Sequence, residues 1–128
     1  MIPHKIDIET FYEKLRDMFP TLNELPVWTE WDCNNDGYAH SIVMSRLATE
    51  LINLATKGNW SDAKRFLDKV EEGFVNGDIK VVAFLGTDFT VTILECGDVP
   101  VREKIKELMG IATRNAYQMN LRGYTESN

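Results

Sequence analysis

Residues 77–98 read GDIKVVAFLGTDFTVTILECGD, and the fold turns on whether this segment is a hairpin or a helix. It is apolar all round and rich in β-branched residues. Periodicity alone therefore leaves two readings open: strands turning at Thr87 and Asp88, or one buried helix. The identical dipeptides at its ends decide for the helix. Gly77-Asp78 and Gly97-Asp98 stand 20 residues apart, and Gly58 lies 19 before the first of them. A Gly closes a helix as its C-terminal cap, and an Asp directly after it opens the next as N-cap. The segment is thus predicted as a central helix with Ile79, Val82, Ala83, Gly86, Phe89 and Ile93 on one buried face.

Outward from this segment, helical periods dominate. Towards the N-terminus, Ala63, Phe66, Leu67, Val70 and Phe74 form an apolar stripe behind Asn59 or Ser61. Before it, Met44, Leu47, Ala48, Leu51, Leu54 and Ala55 form another that ends at Lys57-Gly58. Ile8, Phe11, Tyr12, Leu15 and Met18 make the first helix, with Asp7 as its cap and Pro20 as its stop. Residues 21–38 read as a long irregular connection. Beyond the central segment, Pro100 opens a last helix carrying Val101, Ile105, Leu108, Ala112 and Met119. A helix-turn unit of about 20 residues, paired to about 40, is the period of stacked antiparallel helical hairpins of the HEAT kind. The expectation is one all-α domain over residues 1–128, a compact stack of about five helices.

Composition agrees with a single folded domain. The 128 residues are 44% hydrophobic and 27% charged, ordinary for a globular protein. No apolar run approaches the ~20 residues that span a bilayer, and MIPHKIDIETF lacks a hydrophobic signal core, so a cytoplasmic protein without membrane contact is expected.

The reactive residue types are few and poorly placed for chemistry. Asp32, Asn34, Asp36 and Gly37 fit the first half of an EF-hand loop. Position 12 of that loop is Val43, where a bidentate Glu should close the calcium shell. A solvated turn is the better reading, and no metal site follows. Cys33 and Cys96 lie far apart, outside any C-x-x-C pair, and are read as reduced thiols. With only His4 and His40 as imidazoles, a Ser-His or Cys-His nucleophile is not built, and no phosphate-cradling glycine loop occurs. The chain is read as a binding protein with no catalytic residues and no cofactor.

Charge points to where it binds. Of the 20 acids and 14 bases, residues 7–36 hold eight acids against Lys14 and Arg16, so the whole net charge of −6 lies there. Such a field repels nucleic acid and attracts a basic protein surface. In the same segment Trp28, Trp31 and Tyr38 are of the types that anchor interfaces, and Glu24, Glu30, Asp32 and Asp36 surround them. These seven residues are the predicted partner-binding set.

Residues 66–95, FLDKVEEGFVNGDIKVVAFLGTDFTVTILE, resemble the helix, Asn-Gly-Asp turn, helix core of a known group. These are the small all-helical immunity proteins found beside bacterial polymorphic toxins, including contact-dependent growth inhibition systems. The matching positions are Phe66, Phe74, Gly77, Asp78, Gly86, Thr87, Phe89, Leu94 and Glu95. They are packing and capping residues, and the run departs from the pattern in the β-branched residues 90–93. The resemblance implies a cytosolic antitoxin, a monomer that binds one cognate toxin C-terminal domain 1:1. That toxin would be a basic nuclease, typically an RNase acting on transfer RNA, and the antitoxin would cover its active site. The alternative is an acidic helical adaptor for some other basic protein.

Overall fold

The computed structural model describes residues 5–30 and 37–126, with side chains up to residue 30 and over 39–123. The order is α1 (Ile8–Met18), a 3-10 turn (Pro20–Glu24), α2 (Val27–Glu30), α3 (Gly37–Thr56) and α4 (Trp60–Asn76). Then follow α5 (Ile79–Phe84), a π-helical stretch (Leu85–Phe89), α6 (Thr90–Leu94), α7 (Val99–Leu108) and α8 (Ile111–Glu126). The domain is all-α, as expected. Among the described residues the sole β feature is an isolated parallel bridge between Ile6 and Gly77.

Local chemistry sets the helix ends. The Asp7 carboxylate accepts the Thr10 amide at 2.8 Å and starts α1, while the Phe19 amide closes it on the Leu15 carbonyl. Asn59, Asp78 and Asp98 cap α4, α5 and α7 in the same way. Gly58 ends the α3 corner with φ of 78°, the left-handed conformation that glycine adopts without steric cost. Gly77 is a glycine for a different reason. Its backbone is extended, and a Cβ there would collide with the Gly73 carbonyl and the Val81 side chain.

The decisive segment is helical throughout, but of the predicted inner face only Phe89 and Ile93 are buried. Val81, Leu85, Phe89 and Ile93 are all fully buried, whereas Ile79 is 88% exposed and Val82 37%. Four buried residues spaced by four do not line up on a helix of 3.6 residues per turn, since each step drifts about 40°. The π-helical stretch corrects the drift. The Thr90 amide reaches back five residues to the Leu85 carbonyl, which widens the turn and keeps Phe89 and Ile93 under Val81 and Leu85. Of the other predicted positions, Ile79, Val82 and Ala83 therefore look outward and Gly86 is half-buried.

Two further elements differ from expectation. The connection after α1 carries regular structure, the 3-10 turn and α2, because Leu22 and Val27 are both buried. The last helix is divided at Met109, whose backbone is extended, and Met119 is 73% exposed instead of lying on an inner stripe.

The core is one cluster. Central α3 buries Ala39, Val43, Met44, Leu47, Ala48, Leu51 and Ala55, and it packs on α2, α4, α5, the π stretch, α6 and α7. Next to it, α4 contacts α1 and α8, with Glu72 held by Lys14 of α1 and Glu71 held by the start of α8. Phe19, Phe66 and Phe89 stack through the middle with centroids 5.5 and 6.1 Å apart.

Candidate functional site

The acidic residues of the N-terminal segment are where α1 displays them. With Ile8, Phe11, Tyr12 and Leu15 turned into the core, Glu9, Glu13 and Asp17 follow at intervals of four along the opposite side, all exposed. Glu24 at the end of the 3-10 turn and Glu30 at the end of α2 are exposed as well. None of these five carboxylates forms an ion pair with a described residue.

The two bases of the segment are already engaged. The Lys14 ammonium bridges to Glu72 at 2.9 Å, and Glu72 is shared with Lys69, so Lys14 is compensated from α4. Arg16 donates from Nε to Asn23 Oδ1, and its guanidinium lies 4.5 Å from the centre of the Trp28 ring. Elsewhere the charges pair within helices, as in Arg46–Glu50, Lys64–Asp68 and Arg65–Asp62. Such pairs add little stability but cancel the field around them. Arg16 keeps its positive charge, because Asn23 and Trp28 are neutral, but the five exposed acids outnumber it over α1, the 3-10 turn and α2.

Of the predicted binding set, Glu24, Trp28 and Glu30 lie among the described residues, the two acids exposed. Trp28 is half-buried and held from within: its indole N–H donates to the Leu22 carbonyl at 2.6 Å, and its ring meets Tyr12 edge-on at 5.4 Å. It fastens α2 to α1 and offers a partner only its outer part. Trp31, Asp32 and Asp36 lie outside the described residues, as does the side chain of Tyr38, whose backbone belongs to the first turn of α3. Cys33, His4 and the first EF-hand positions lie outside them too. Val43, the twelfth loop position, is fully buried in α3.

Glu9, Glu13 and Asp17 were not singled out in the sequence beyond their part in the net charge. Their spacing of four, out of step with Ile8, Phe11, Tyr12 and Leu15, was the signal that they share an outer face.

Beneath this face sits His40, 4% exposed, its ring stacked on Tyr12 at 5.9 Å and tilted against Phe84 at 5.3 Å. Its Nδ1 is 2.9 Å from the Tyr12 hydroxyl. Burial, reinforced by Lys80, pushes its pKa below the ordinary value, with Glu9 opposing. Its place is that of a packing histidine tying α3 to α1. Among the described residues no group of three or more His, Cys, Asp or Glu side chains gathers where a metal could be held. No helix among them is long and apolar enough to cross a membrane.

These features define a compact all-α domain with an unneutralised acidic face. The chain belongs to the family described as a domain of unknown function, DUF7674, which matches residues 12–124. No curated protein and no solved structure matches it.

Proposed function

We propose that this chain is an immunity protein that binds a cognate toxin domain and neutralises it by occupancy. The toxin of this reading is a basic nuclease, an RNase acting on transfer RNA, encoded beside it in a contact-dependent growth inhibition system. One observation carries the reading. Glu9, Glu13, Asp17, Glu24 and Glu30 are exposed without ion-pair partners on one run of structure, while the bases among them are engaged by Glu72, Asn23 and Trp28. A nuclease holds phosphates with Lys, Arg or His, so carboxylates in that arrangement stand in for the phosphates of its substrate. The proposed complex is 1:1 and cytoplasmic, needs no cofactor, and leaves the protein itself without contact to nucleic acid. Inhibition is by coverage, so it should scale with the fraction of toxin bound.

The test is to purify the toxin C-terminal domain encoded by the adjacent gene and titrate this protein into its RNase assay. Activity should reach zero at one equivalent, with rapid association that slows as salt is added. Two results refute the reading: substoichiometric inactivation of excess toxin, which would mean enzymatic action, or an adjacent product that neither cleaves RNA nor binds. An unrelated basic partner captured by the acidic face would establish the adaptor instead.

A further inference from the structure

Between α5 with its π stretch and α8, across the end of α4, lies an open hollow of about 400 Å3, within the size range of small-molecule sites. Phe74, Val82 and Met119 give it apolar walls, while Gly86, Ala112 and Ala116 keep it clear. It follows α8 from Ala112 to Asn120, about two turns or about 12 Å of helix. On the other side it covers only the turn from Val82 to Gly86, so it is a trough running along α8.

No charged side chain is among its described lining residues. The charges on the neighbouring elements are engaged elsewhere. The Asp88 carboxylate accepts from Ser41 and Thr87, Asp78 from the Val81 amide, and Glu71 from the Ala112 and Thr113 amides. Arg114 donates to the Lys106 and Glu107 carbonyls, Lys80 lies towards His40, and Arg122 has a partner of its own. Glu126 stands at the far end of α8, beyond Asn120. An ion entering the trough would lose hydration without gaining a countercharge, so the trough suits a neutral molecule.

One polar atom of the lining bonds no described group. The Asn120 amide nitrogen donates to the Gly86 carbonyl and to the Thr90 hydroxyl, the latter at 2.6 Å, and that hydroxyl donates to the same carbonyl at 2.6 Å. These three bonds fix the carboxamide with its nitrogen towards the π stretch. Its Oδ1 faces the opposite way, has no donor among the described residues, and is not sealed from the surface. A carbonyl oxygen only accepts, so it selects a ligand that carries an O–H or N–H. Gly86 keeps the space beside it clear. Its φ is not in the left-handed region, and a Cβ there would come no closer than 3.9 Å to Phe74, so the fold itself would tolerate a side chain that the trough would not.

We infer that this trough binds an uncharged amphiphile, a hydrocarbon chain lying along α8 with a terminal hydroxyl that donates to Asn120 Oδ1. The apolar walls and small floor residues take the extended chain, and the fixed acceptor takes the hydroxyl. The lack of any countercharge turns away fatty-acid anions and alkylammonium ions alike. The site lies apart from the acidic side of α1 and stands without the toxin reading.

The probe is 1-octanol, titrated into the isotope-labelled full chain and compared with octyl methyl ether, which cannot donate, and with octanoate, which is charged. Octanol should shift the amide resonances of Gly86, Ala116 and Asn120 saturably. The ether and octanoate should each bind about ten-fold more weakly or worse, the first because it leaves Oδ1 without a donor and the second because its charge is unpaired. Ala116→Leu should fill the trough and abolish saturation at an unchanged melting temperature. The comparison of the three probes on the natural chain decides the matter if that variant loses stability. Equal binding of octanol and its ether, octanol shifts that map to α1, or no saturable shift up to the solubility of octanol would overturn the inference. So would a concentration-dependent dimer in sedimentation whose contacts bury the trough, because a second copy would then be its occupant.

Discussion

Removing the Glu71 carboxylate should uncouple α8 from the rest of the domain. This side chain, on α4, acts as the N-cap of a helix that begins 40 residues later. It accepts from the Ala112 amide at 3.0 Å, the Thr113 amide at 2.9 Å and the Thr113 hydroxyl at 2.7 Å. The fit is close, since a methyl group on Gly110 would collide with it. Hydrogen bonds to an ionised group each contribute about 1.5–3 kcal/mol, but the two amides sit at a half-exposed helix start where water can replace part of that. Thr113 is fully buried, so its hydroxyl would be left unsatisfied. The balance for Glu71→Ala is a loss of about 3 kcal/mol. With an unfolding entropy of about 2.1 cal/mol/K per residue, a chain of 128 residues should melt about 10 °C lower. Glu71→Gln keeps an acceptor but loses the charge facing the helix dipole, and should cost about half as much.

The pH dependence of this pair of variants is a sharper check. Burial raises the Glu71 pKa, yet the Thr113 and Ala112 amides and the Thr113 hydroxyl outweigh it and hold the carboxyl below its ordinary value of 4.5. A depressed pKa contributes stability that is present above 4.5 and lost as pH falls through the depressed value. Wild type should therefore lose its advantage over Glu71→Gln as pH falls from about 5 through the depressed value. Thermal melts by circular dichroism across that range measure it. A Glu71→Ala variant whose melting temperature falls no further than that of a surface control such as Glu107→Ala would refute the capping role.

Changing Glu9, Glu13 and Asp17 together to Gln, Gln and Asn should slow association with the toxin about ten-fold at low salt and flatten its salt dependence. Dissociation should change little, and stopped-flow fluorescence separates the two rates. Trp28→Ala should cost about 2 kcal/mol of stability in denaturant unfolding, since it removes a half-buried ring and its bond to Leu22; an unchanged midpoint would show that the ring is free to act elsewhere. The lowered pKa of His40 means that its contribution is complete above 6.5 and is lost as pH falls below it. Melting temperature should therefore drop from pH 6.5 to pH 5 in wild type, and the slope over that range should flatten in His40→Phe.

The sequence by itself determined the helices and most of their ends, because these follow from contacts within one turn. Asp7, Asn59, Asp78 and Asp98 are caps that reach three residues, and a stripe such as Phe66, Leu67 and Val70 names its own buried face. It also located the net charge, while the structure put Glu9, Glu13 and Asp17 on one outer side. The tertiary structure decided the remainder. Residues 79–94 are apolar around their whole circumference, so no periodicity could select the buried face. Packing against α3 and α4 chose Val81, Leu85, Phe89 and Ile93, forced a π turn to keep them aligned, and left Ile79 exposed and Val82 and Gly86 lining a groove. The break between α7 and α8 is matched by Glu71, 41 residues before Ala112, and the inward seat of Trp28 by Tyr12 and Leu22. A partner that distant in the chain leaves no local signature, and the chain acquires it only when the helices meet.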